Sequence, residues 1–74
     1  MMNLLDNVSS LVEILKSATD ESVRANAALA LGDVDEESVI PALCLALSTD
    51  ASPEVRRSAA KALGMLGSKK RKEG

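Results

Sequence analysis

A chain of 74 residues, 46% of them hydrophobic, with no Phe, Tyr, Trp or His and one Cys, has room for a single small domain with a core of Leu, Val, Ile and Ala. Without His, the usual zinc sites, a Cys or Ser nucleophile paired with His and a His-bearing di-iron centre are excluded, so the composition points away from an enzyme and calls for no cofactor. The net charge of −2 divides unevenly: residues 1–68 are acidic, residues 69–74 (KKRKEG) are basic, and an acidic body does not invite nucleic acid.

The opening MMNLLDNVSS has neither a basic start nor a long apolar stretch. No run approaches the roughly 20 apolar residues of a membrane span, so a soluble, unprocessed chain is expected. A lone Cys44 cannot close an internal disulfide, which suggests the cytoplasm or a stroma. The first helix is predicted over residues 6–18, with Val8, Leu11, Val12, Ile14 and Leu15 on its apolar face. Asp20 is an N-cap type and Glu21 puts negative charge in the first turn of a second helix over 21–34. Its core face is Val23, Ala27, Ala30, Leu31 and Val34, its outward side Ala25, Asn26, Leu29 and Asp33, and Gly32 is expected to form a left-handed cap.

Asp35 is expected to cap a third helix over 36–48, with Ile40, Leu43, Cys44, Ala46 and Leu47 inward and Cys44 read as a small buried hydrophobe. Pro41 falls past the free first-turn donors and should bend that helix near its start. Ser52 and Pro53 open a fourth helix over 53–66. It turns Val55, Ala59, Ala62, Leu63 and Leu66 inward and Arg57, Ser58, Lys61 and Met65 outward, with Gly64 and Gly67 at its end. The basic tail 69–74 is expected to be disordered, either as a solvated end or as a phosphate-binding or localisation patch.

The second and fourth helices contain SVRANAALALG (22–32) and EVRRSAAKALG (54–64), which superpose on a shift that carries Arg24 onto Arg56. The same register extends back to Leu11 and Leu43, so the chain is two copies of one helical hairpin, about 6–34 and 35–67. The shared Val-Arg-x-x-Ala-Ala-x-Ala-Leu-Gly resembles the HEAT repeat, in particular the short PBS lyase HEAT-like variety, as does the Pro41-Ala42-Leu43 opening. The resemblance implies an all-α fold: an α-solenoid fragment of two HEAT-like hairpins, four helices, within residues 1–68. It also implies that Arg24 and Arg56 belong to an inter-repeat ladder, with Asp20 and Asp50 as possible mates, Arg56 having no third repeat to face.

For function, the resemblance implies a non-catalytic adaptor or scaffold that binds another protein. An alternative, carried by the resemblance alone, is an accessory of phycobilin attachment or phycobilisome assembly and turnover. The absence of any His-Glu pair excludes the family's di-iron hydroxylase activity. Ala25, Asn26, Leu29, Arg57, Ser58, Lys61 and Met65 form the candidate partner surface, a small patch suited to an apolar, acidic segment. Pro41, Ala42 and Leu45 make a second apolar spot, either a self-association surface or a seat for MMNLL. About three repeats are usually needed for a stable array, so two units should form a homo-oligomer or dock end-on onto a partner.

Overall fold

The structure, a computed structural model, describes residues 4–71, and the side chains of residues 7–68. Four α-helices follow one another: α1 (Leu4–Ser17), α2 (Glu21–Asp33), α3 (Ile40–Thr49) and α4 (Pro53–Arg71), with a 3-10 turn over Glu37–Val39 leading into α3. No strand occurs among the described residues. The chain is therefore two antiparallel hairpins, α1–α2 and α3–α4. The second stacks on the first chiefly through α2 against α4, while α1 and α3 barely meet.

Local chemistry sets the helix starts. At α2 the Asp20 carboxylate accepts the Ser22 and Val23 N–H groups at 2.7 and 3.4 Å, satisfying two of the donors that a helix start leaves open. At α4 the Ser52 hydroxyl accepts the Val55 N–H at 3.3 Å. Pro41 lies in the first turn of α3, where its missing N–H costs nothing, so it does not bend a helix interior. The lead-in is a 3-10 turn that begins after Glu36 without a side-chain cap, and the cap expected from Asp35 is not made.

The glycines behave differently from expectation. None of the described glycines has positive φ, and α2 ends instead on Val34 in an extended conformation. Gly32 is a packing glycine: a Cβ built on it would lie 2.8 Å from both Cα and Cβ of Ala62. Helix α4 continues through Gly64 and Gly67 to Arg71, so residues 69–71 of the expected tail are helical, and residues 72–74 lie outside the described residues. An interior glycine weakens a helix by about 1 kcal/mol without forbidding it.

The core runs from Val8 and Leu15 through Leu31, Val39, Leu43 and Val55 to Leu66, and nearly half its side chains are alanines, which let the backbones of α2 and α4 approach closely. Ala25, Ala28 and Gly32 lie along one stripe of α2, and all three are buried. Ala25 is thus a core residue at 3% exposure, and Ser58 on α4 is buried as well, where both were expected on the surface. The projection that placed them outward accounts for packing within a hairpin. Stacking of one hairpin on the next buries a second face.

Four expected core residues are exposed for the converse reason. Ile14 and Val23 lie on the outer side of the first unit and Leu47 and Cys44 on α3 of the second, where no other hairpin of the described residues covers them. Their counterparts in the repeat register are Ala46, Val55, Leu15 and Val12, of which the first three are buried and the last half-buried.

Candidate interaction surfaces

The loop between α3 and α4 joins the two units. Arg24 of the first hairpin donates from Nε to Oδ2 and from Nη2 to Oδ1 of Asp50, both at 3.0 Å, a bidentate pair whose fork geometry suits guanidinium and carboxylate. Its Nη1 donates to the carbonyls of Ala18 and Thr19 at 2.9 and 3.3 Å, which fixes the plane of the fork. Asp50 Oδ1 also accepts the Ser52 N–H at 2.9 Å, so the same carboxylate shapes the turn into α4. The Arg24 hydrogen bonds hold the Asp50 carboxyl below its ordinary value, with the Ser52 N–H acting in the same direction, and the Asp50 bonds raise Arg24 above its own. A second tie crosses the units: the Ser52 hydroxyl donates to Oε1 of Glu21.

Asp20, a possible mate for an arginine by its position, is instead the cap of α2. Arg56 repeats half of the Arg24 arrangement. Its Nη1 donates to the carbonyls of Asp50 and Ala51 at 2.8 and 3.2 Å, but no carboxylate of the described residues meets its fork. In the repeat register the counterpart of Asp50 is Ala18, not Asp20, because both pairs of carbonyls stand six and five residues before their arginine. The repeat register is legible in the sequence, but the choice between Asp20 and Asp50 rests on these contacts.

Of the candidate partner surface, Leu29 of α2 and Arg57, Ser58 and Lys61 of α4 line one depression of about 220 Å³, together with Glu54. Asn26 is exposed and Met65 half-buried, and neither lines it, while Ala25 lies beneath the surface. Glu54 was not singled out from the sequence, since a first-turn acid reads as a helix-dipole residue.

On the other side of the molecule, Ala42 and Leu45 share a cavity of about 400 Å³ with Leu15, Arg24, Thr49 and Asp50. Leu45 is 54% exposed, and Pro41 is exposed without lining the cavity. A contact with MMNLL falls outside the described residues.

The family model of HEAT repeats matches residues 8–73, which spans both hairpins and the ladder between them. The chain belongs to the HEAT repeat family. No curated protein and no solved structure matches it. As a HEAT pair it has one internal junction, made by Arg24, Asp50, Glu21, Ser52 and the Gly32–Ala62 contact, and two ends that lack one. Among the described residues, no helix of this HEAT pair is long and apolar enough to cross a membrane.

Proposed function

We propose that this HEAT pair is a non-catalytic interaction module that binds a partner protein across the outer side of α2 and α4. The observation that carries the reading is the depression walled by Leu29 from one unit and by Arg57 and Lys61 from the next. Neither hairpin forms it alone, so the stack itself creates the surface. One apolar wall beside two cations suits a segment with an apolar side chain flanked by carboxylates, while Glu54 in the same lining selects against a carboxylate placed next to it.

HEAT repeats commonly serve as protein-interaction scaffolds, in keeping with this reading. The spacing of the two motifs and their Val-Arg-x-x-Ala-Ala-x-Ala-Leu-Gly order favour the short PBS lyase HEAT-like variety within the family. An exposed, unpaired Cys44 accords with a reducing compartment such as the cytoplasm.

The test is site-specific photo-crosslinking in the native lysate. A photoreactive side chain replacing Leu29 should give a discrete adduct that a Lys61→Glu change removes, whereas the same group replacing exposed Glu13 on α1 should not. If both positions yield the same adducts, or Lys61→Glu leaves the Leu29 adduct intact, the α2–α4 surface is not the binding site.

A further inference from the structure

From the unequal surroundings of matched residues in the two hairpins, we infer that the Arg56 end of the stack is a seat for a further HEAT-like hairpin, carried by a partner protein. That hairpin presents a carboxylate to Arg56 as the second unit presents Asp50 to Arg24. The inference rests on reading the chain as an interaction module but centres on Arg56 and Leu47 at the end of the stack, a surface that shares only Arg57 with the lining of the α2–α4 depression.

The molecule itself shows what fits this end, because the second unit already occupies the matching seat on the first. Leu15 is 2% exposed beneath the second unit, and its counterpart Leu47 is 38% exposed. Ala28 is fully buried, and its counterpart Ala60 is exposed. Gly32 is pressed against Ala62, while Gly64 has nothing within 4 Å. Leu47, Pro53, Arg56, Arg57 and Ala60 surround an open cavity of about 270 Å³ at this end.

Charge completes the description of the occupant. Two backbone carbonyls hold Arg56 Nη1 as they hold that of Arg24, so the fork is already aimed, but Nε and Nη2 have no carboxylate among the described residues. A fixed, open guanidinium fork selects a carboxylate in bidentate geometry.

A second copy of this chain does not qualify as the occupant. Its first unit has the apolar face needed for stacking, with Ile14 and Val23 exposed and Ala30 half-buried, but it carries Ala18 where the ladder acid belongs. Its nearest acid, Asp20, is engaged by the Ser22 and Val23 N–H groups. Head-to-tail contacts that do not close generate filaments, and Ala18 withholds the ion pair that would favour them.

The same comparison yields a probe. An Ala18→Asp change gives the full chain the carboxylate that the seat requires, and sedimentation measures self-association over a range of concentrations. The Ala18→Asp protein should associate about tenfold or more tightly than the wild type, with an affinity that falls as salt is raised. Ala18→Asn, of the same size without charge, should not reproduce the gain, and Arg56→Gln in the Ala18→Asp background should abolish it. Gly64→Leu, which projects into open space in the single chain, should also block association, because Gly64 would meet Ala30 of the next copy as Gly32 meets Ala62. Circular dichroism confirms that each variant is folded, and the Ala18→Asp and Ala18→Asn comparison stands without the Arg56 variant. If Ala18→Asp associates no better than wild type, if Ala18→Asn matches it, or if folded Arg56→Gln leaves it unchanged, the inference is wrong. Crosslinking at Leu29 is indifferent to all three outcomes.

Discussion

At Asp50 one carboxylate receives both arms of the Arg24 fork and the Ser52 N–H, while the residue's own carbonyl receives Arg56. Its folded-state pKa lies below the ordinary carboxylate value, first because of the Arg24 hydrogen bonds. A depressed carboxylate stabilises the fold wherever it is ionised: the contribution is complete above the unfolded value of about 3.9 and is lost as pH falls through the lower folded value. An Asp50→Asn variant should therefore melt at a lower temperature than wild type at neutral pH, and the gap should close as pH is taken below about 4. Melting curves followed by circular dichroism at a series of pH values measure this. A gap that persists unchanged into strong acid would place the effect in the shape of the turn rather than in the charge.

Among the helices, α2 is covered on two sides, by α1 and by α4, and the close approach of α2 to α4 depends on a missing side chain at Gly32. Gly32 and Gly64 occupy the same place in the repeat and sit inside α-helices without positive φ, so backbone freedom does not explain them. Their surroundings predict opposite responses to the same change. Gly32→Ala drives a methyl into the backbone of Ala62 and should destabilise by about 1–3 kcal/mol, the range for overpacking a filled core. Gly64→Ala meets nothing and should stabilise by about 0.5–1 kcal/mol, the ordinary preference of a helix for alanine. Urea unfolding of the two variants measures both; equal effects would mean that the α2–α4 approach is not close in solution. Helix α3 shows the other extreme. Covered mainly by α4, it leaves Cys44, Leu45 and Leu47 exposed.

For the whole molecule, two stacked hairpins bury one junction and leave two faces open. A single core in a chain of this size supplies only about 3–5 kcal/mol. Leu15, enclosed at 2% exposure, should cost about 2–5 kcal/mol when changed to Ala, enough to remove most of that stability. Its repeat counterpart Leu47, at 38% exposure, should cost about 1 kcal/mol or less, since much of its surface is already in water. Chemical denaturation of the two variants compares them directly. Costs of similar size would mean that a further hairpin or another copy covers Leu47 in the sample, in which case the Leu47 effect should weaken on dilution.

Period, helix order and the starts of α2 and α4 were legible in the chain because they follow from local chemistry: apolar spacing, the Asp20 and Ser52 caps, Pro53 at a first turn, and a motif written twice; the start of α3, expected at an Asp35 cap, was not. Family membership followed from that motif, and so did the residue types of the ladder. Which acid meets Arg24, why Gly32 is glycine, and why Ala25 and Ser58 are buried while Val23 and Leu47 are exposed were decided by the stacking of α4 on α2. Gly32 and Gly64 close the same Ala-Leu-Gly run, Val23 and Val55 open the same Val-Arg pair, and Leu15 and Leu47 are the same residue, so residue type and local motif do not separate them. They differ in whether another hairpin lies beyond, and that neighbour is a fact of tertiary structure.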